Sequence, residues 1–173
     1  MSVPPGDADS GEGRLLYEGS ILSVETMPGG WEKVTKAAAV CVLALRDGQV
    51  LGVEQPRPVI GAVSWELPAG MIDPGETPIE AARRELAEET QLSGELEAIA
   101  SFYSSPGFTD EHTTIFLARD LRPAAGKPDP TERITVSWRP LNELLAGLAA
   151  GTLVTSASTA TGLALATGLP DTR

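Results

Sequence analysis

A chain of 173 residues with 42% apolar side chains suits one domain with a full hydrophobic core. Its 24 acidic and 13 basic residues leave a formal charge of -11, which argues against nucleic acid as a partner, since phosphate backbones require Lys and Arg. No apolar run approaches the roughly 18 residues of a membrane span, so no membrane partner is expected.

The N-terminus lacks a basic and then apolar signal pattern. The single cysteine, Cys41, lies in an apolar run and reads as a buried, reduced thiol. A cytoplasmic protein is the expectation. Residues 1–13 are Pro, Gly, Ser and acid without periodicity and read as a disordered tail. Residues 15–18 and 20–26 look like short strands around Gly19, and Pro28-Gly29-Gly30 breaks the chain before a return over 31–36. The run 36–45 is nearly all apolar, as in a strand buried on both faces. Arg46-Asp47-Gly48 turns the chain into a second strand over 49–55. Arg57 follows, held between Pro56 and Pro58 with little backbone freedom. Residues 65–69, Trp-Glu-Leu-Pro-Ala, lead as a strand into the most informative stretch.

That stretch is 70–92, GMIDPGETPIEAARRELAEETQL. A loop rich in turn formers, 70–75, precedes a helix whose start is written locally. Thr77 is the N-cap, Pro78 fits the first helical position, and Glu80 completes a capping box. Ile79, Ala82 and Leu86 form an apolar stripe. Beside it Glu85 and Glu89 stand one turn apart, flanked by Glu88. Three like charges on one face weaken a helix, and Arg84, four before Glu88, cannot neutralise them all. A hard divalent cation would. A solvated acidic face is the plainer alternative.

The spacing is Gly70, five residues, Glu76, seven residues, Arg84-Glu85-Leu86, one residue, Glu88-Glu89, one residue, Gln91-Leu92. It resembles the signature of the Nudix hydrolase family, G-x5-E-x7-R-E-U-x-E-E-x-G-U, where U is bulky and apolar. Only Gln91 departs, standing where the family has Gly. Gly there tolerates a left-handed backbone that costs a side chain about 1 kcal/mol. The helix end is therefore expected to shift toward Gly94, with the carboxylates intact.

The resemblance implies hydrolysis of a nucleoside diphosphate linked to another moiety, with Mg2+ or Mn2+ as cofactor. It implies Glu85 and Glu89 as principal metal ligands, Glu88 as auxiliary, Glu76 as support, Arg84 as the residue that orients them, and the Ala69 carbonyl as a main-chain ligand. It implies a Nudix α/β/α sandwich with a mixed sheet, plus a small N-terminal antiparallel sheet. The domain reading is a tail at 1–13, N-terminal strands at 14–36 of the kind that cross to a partner subunit, and a Nudix domain at 37–173. A homodimer is implied by resemblance alone.

Finer features resemble the ADP-ribose and ADP-sugar pyrophosphatase branch. An Arg upstream of the box reaches the substrate diphosphate there, and Arg57 holds that place, its fork suited to bidentate contact. Ile21 and Trp31 are candidates for nucleoside contact, or simply pack their sheet. Glu66 contacts the nucleoside or a partner, or is a surface carboxylate.

Residues 95–103 read as a further strand. Then Ser104-Ser105-Pro106-Gly107-Phe108-Thr109-Asp110-Glu111 turns before a strand over 113–118. A loop carboxylate facing a metal-bearing helix can take a proton from attacking water. The stretch resembles the Ser-Pro-Gly-x-x-x-Glu element of the same branch, which implies Glu111 as general base; Glu88 competes for that role. Phe108 on this loop is a candidate substrate contact. His112 reads as structural. Residues 120–131 read as a long Pro-rich loop, 132–139 as a strand with Trp138 inward, 140–150 as a helix stopped by Gly151, and 156–167 as a terminal helix ending at Gly168. The rivals to an ADP-ribose pyrophosphatase are a Nudix enzyme for another nucleotide sugar or dinucleotide, and a non-catalytic nucleotide sensor, which would usually have lost box glutamates.

Overall fold

The computed structural model describes residues 13–128, 130 and 133–169. The predicted tail falls outside them except for Gly13, as does Glu132 at the start of a predicted strand. The described elements are β1 (Arg14–Glu18), β2 (Leu22–Met27), β3 (Trp31–Lys36), β4 (Ala39–Arg46), β5 (Gln49–Arg57), β6 (Ala62–Glu66), β7 (Ala69–Met71), α1 (Pro78–Thr90), β8 (Leu92–Tyr103), β9 (His112–Pro123), β10 (Thr135–Pro140), α2 (Leu141–Ala150) and α3 (Ala157–Ala166).

β4 organises the core. Val40, Val42 and Ala44 face α1 through Ala81, Ala82 and Leu86, while Cys41, Leu43 and Leu45 face α2 and α3 through Leu144, Leu163 and Ala166. Strand side chains alternate, so one apolar strand feeds both layers, and the fold is an α/β/α sandwich. The sheet runs β10-β5-β4-β9-β8, with β6 beside β5 and β7 beside β4. β4 pairs with β9 in parallel and with β7 antiparallel, so the sheet is mixed. β1, β2 and β3 form a separate antiparallel sheet. Burial pushes the Cys41 thiol up to about 12, as expected of an inert core thiol.

Several boundaries differ from expectation. β4 begins at Ala39, because residues 37 and 38 leave the small sheet before the central one begins. The predicted strand 65–69 is two strands: β6 ends at Glu66 on β5, and β7 starts at Ala69 on β4. Leu67 between them is pinned by its N–H donating to Thr159 Oγ1 at 3.0 Å. β8 begins at Leu92, three residues early, and β9 runs on to Pro123, because Leu92 pairs with Pro123 and Ser93 with Arg122. Asp120 takes a positive φ of 50° inside that extension. α3 ends at Ala166 with Thr167 as its cap, short of Gly168.

The end of α1 corrects the expected shift toward Gly94. The helix stops at Thr90, and Gln91 itself adopts the left-handed conformation at φ 57°, ψ 33°. Its amide offsets the strain. Nε2 donates to the carbonyls of Ala87 at 3.0 Å and Gly126 at 3.2 Å, and Oε1 accepts from Gly126 N–H at 3.3 Å. Gly126 comes so close that a Cβ there would lie 2.0 Å from the Ala87 carbonyl oxygen.

Candidate active site on helix α1

The helix start forms as its sequence dictates. Thr77 N–H donates to Glu80 Oε2 at 2.8 Å and Glu80 N–H to Thr77 Oγ1 at 3.4 Å, a complete capping box. The buried face of the helix then fixes the acidic stripe beside it. Glu85 and Glu89 are only 9% and 8% exposed, which is rare for carboxylates and requires partners. Glu89 Oε2 accepts from Ala69 N–H at 3.0 Å. Glu85 lies against Gly70, where a Cβ would fall 1.8 Å from Glu85 Oε1. Any larger residue at 70 would occupy the space that the carboxylate fills, which gives the box glycine a steric reason.

Arg84 ties the acids together. Nε and Nη2 reach the two Glu76 oxygens at 3.0 and 2.9 Å, Nη1 reaches Glu85 Oε1 at 2.6 Å and Glu88 Oε2 at 3.3 Å, and Nη2 also donates to the Met71 carbonyl at 2.9 Å. Arg84 holds the Glu76 carboxyl below the usual carboxylate range, and its own pKa is raised, first by Glu76 and then by Glu85. Glu76 Oε2 also accepts from Asp73 N–H at 3.1 Å, closing the loop.

The donor set suits a hard divalent cation. Two buried carboxylates one helical turn apart meet a strand backbone at Ala69 and Gly70. Among the described residues no group of three His, Cys, Asp or Glu side chains forms a cage for an ion. Mg2+ does not require one, because it is bound by one or two carboxylates and completes its shell with water and substrate phosphate.

The upstream pair is placed differently from expectation. Arg57 and Glu66 meet each other, Nε to Oε1 at 2.9 Å and Nη2 to Oε2 at 2.7 Å, in a bidentate bridge with Glu66 buried. Burial pushes the Glu66 carboxyl up, yet hydrogen bonds from Arg57 and Ser64 outweigh it and hold it below the ordinary range. The surface-carboxylate reading of Glu66 is therefore corrected.

The downstream loop leaves the same edge of the sheet as the box. Ala39 pairs with Met71 on one side and Thr113 on the other, so those two positions lie about 10 Å apart. Glu111 stands two residues ahead of Thr113, and its Oε1 takes Lys36 Nζ at 2.5 Å. Lys33 takes Asp110 at 2.7 Å, which holds that carboxyl below its usual range. His112 contacts Ser101 Oγ at 3.2 Å and stacks edge-on with Tyr103, a structural role.

Trp31 and Phe108 share a cleft of about 350 Å³ with Met27, Lys33, Tyr103 and Pro106. Trp31 is 66% exposed and lines this cleft. Ile21 is exposed and does not line this cleft. Sequence reasoning missed Lys33, Lys36 and Tyr103. Only β3 beside the loop, through Val34 N–H to Phe108 O at 2.7 Å, brings the lysines in, and no local pattern announces that pairing.

The NUDIX domain family profile matches residues 34–156. The chain belongs to the Nudix family. An ADP-ribose pyrophosphatase of Mycobacterium tuberculosis is 33% identical over 173 residues, covering 92% of this chain and 83% of that protein. A CMP-5'-(N-acetyl-N-hydroxy-3-aminopropyl)phosphonate hydrolase of Streptomyces rubellomurinus is 30% identical over 171 residues, covering 92% and 82%. A crystal structure of an ADP compounds hydrolase superposes with a TM-score of 0.75 at 21% identity, covering 91% of this chain and 90% of that one, which speaks for a shared Nudix fold. No helix among the described residues is long and apolar enough to cross a membrane.

Proposed function

We propose that this Nudix enzyme hydrolyses the diphosphate of ADP-ribose, or of a related ADP-sugar, to AMP and a sugar phosphate. The observation that carries the reading is the buried Glu85 and Glu89 pair against the Ala69–Gly70 backbone, braced by Arg84. Glu85, Glu89 and the Ala69 carbonyl would hold Mg2+, with Mn2+ as a substitute, and Glu88 and Glu76 assist. When bound, the cation supplies Lewis acidity and charge neutralisation at the diphosphate.

The chain's own groups do the rest. Arg84 holds Glu76 in its charged form and aims Glu85 and Glu88. Arg57, its backbone fixed by flanking prolines and its fork steadied by Glu66, presents a guanidinium suited to a phosphate. Trp31, Phe108 and Tyr103 offer π-faces on which a base stacks. Glu111 accepts the proton of the attacking water as general base.

The exposed Leu15, Leu16, Tyr17 and Ile21 on and beside the small sheet favour a homodimer, which light scattering tests directly. The buried thiol of Cys41 suits the cytoplasm, and the net charge disfavours nucleic acid. The deciding experiment is a panel of ADP-ribose, ADP-sugars, a CMP conjugate, dNTPs and dinucleotides with product identification, run with Mg2+, with Mn2+ and with chelator. ADP-ribose cleaved no better than the others sinks the substrate assignment. The CMP conjugate is included because of the Streptomyces relative, and its preference would install the rival reading.

A further inference from the structure

The small sheet does more than flank the site. The loop over residues 104–111 has little framework of its own: Phe108 and Thr109 N–H share the Ser105 carbonyl at 3.1 Å, and Ser104 N–H reaches the Glu111 carbonyl at 2.9 Å. Further support comes from β3. Val34 donates to Phe108 O at 2.7 Å and accepts from Asp110 N–H at 3.4 Å, a one-residue parallel bridge. Lys36 N–H donates to Asp110 Oδ1 at 3.3 Å. Lys33 pairs with Asp110 at 2.7 Å and with Glu25 at 3.3 Å, and Lys36 pairs with Glu111 at 2.5 Å. Lys33 and Lys36 are an odd number of residues apart, so they leave opposite faces of β3 and grip the loop from both sides.

We propose that Lys36 is a positioning residue for catalysis: its ammonium fixes the Glu111 carboxylate at the rim of the site, so that β3 is part of the proton-transfer apparatus. The inference rests on reading Glu111 as the base. A general base must stand within about 3 Å of the proton it takes, and a glutamate on an irregular loop has many rotamers open to it. A charge-assisted bond to one oxygen restricts those rotamers and leaves the second oxygen for the water. The Glu111 side chain is 19% exposed and that of Lys36 32%, so solvent screens this pair less than a surface pair. Asp110 differs in having both oxygens engaged, Oδ2 by Lys33 and Oδ1 by the Lys36 amide.

The test compares wild type, Lys36→Met, Lys36→Arg, Glu111→Gln and the Lys36→Met/Glu111→Gln double variant, with ADP-ribose and Mg2+. Lys36→Met should lower kcat by about 10- to 100-fold, the scale of a misplaced catalytic group, with KM within about twofold. Lys36→Arg should restore most of it. The double variant should be no slower than Glu111→Gln alone, since both changes remove one function. Hydrogen exchange should quicken at the amides of Asp110 and Glu111 in Lys36→Met while the α1 amides stay protected. Lys36→Gln replaces the Met variant if thermal melts show that variant unfolded.

Full kcat without Lys36, or losses that multiply in the double variant, overturn the positioning role. Wild-type turnover in Glu111→Gln overturns the base assignment instead, and faster loop exchange in Lys36→Met would then show a tether without a catalytic purpose.

Discussion

Helix α1 and the loop over 104–111 both present carboxylates to the same edge of the sheet, but they are held by different means. The acids of α1 are braced from within about one loop and one helix: Thr77 holds Glu80, Arg84 holds Glu76, Glu85 and Glu88, and the Ala69 N–H holds Glu89. The loop acids depend on Lys36, 74 and 75 residues away in sequence, and on Lys33 beside it on the same strand. Local bracing suits groups that must stay put for a metal. Distant bracing fixes a group only as long as another element, here the small sheet, stays docked beside it.

The largest expected effect is at the locally braced region. Glu85→Gln should cut turnover by about three orders of magnitude, because a cation clamp supplies several kcal/mol at the phosphates, while the capping box and core keep the fold. Unchanged turnover would refute the metal site. Next comes the loop: Glu111→Gln should cost about 10²-fold or more in kcat with little change in melting temperature. If Glu88→Gln proves the worse of the two, the proton acceptor belongs on the helix and the contrast between the regions collapses.

A smaller effect concerns stability. Arg57→Met strands Glu66 in a buried place without its fork and should cost about 1–2 kcal/mol at neutral pH. The folded Glu66 pKa is lowered, so the pair stabilises the protein above the ordinary carboxylate value of about 4.3. That contribution is lost as pH falls toward the lowered folded value. The gap between the melting curves of variant and wild type should therefore narrow as pH falls below about 4.3 and close beneath the lowered folded value; a gap that does not narrow would mean that the loss is packing, not charge. The smallest effect is at the helix end. Gln91→Ala keeps the left-handed strain and loses the amide clasp, so about 1 kcal/mol of stability should go. Gln91→Gly relieves the strain and should fall within about 1 kcal/mol of wild type, measurable by chemical denaturation.

What could be read from the sequence follows the same division. The capping box, the apolar stripe, the acidic stripe and the both-sides-buried strand are periodic or adjacent features, and each stands where its spacing requires. Gln91 misled because the expected penalty was right and the remedy was invisible: its amide partner, Gly126, is 35 residues on. The bridge between Arg57 and Glu66 is not legible in the sequence, since nothing local shows that β5 and β6 lie side by side with Arg57 next to Ala62. Lys36 was hidden for the same reason.

The parallel pairing of β4 with β9 has a consequence for how the chain reaches this shape. The two strands are neighbours in space, yet the whole of α1 and its loops intervene in sequence, and closing so large a span is slow and entropically costly. α1 can nucleate early from its own cap, while β4, greasy on both sides, must wait for β9 to cover its flank. Helical circular dichroism should accordingly recover ahead of Trp65 fluorescence during refolding of a variant with Trp31 and Trp138 replaced by Phe; simultaneous recovery would count against that order. Until that closure, the newly made chain carries its greatest aggregation hazard at the bare edge of β4.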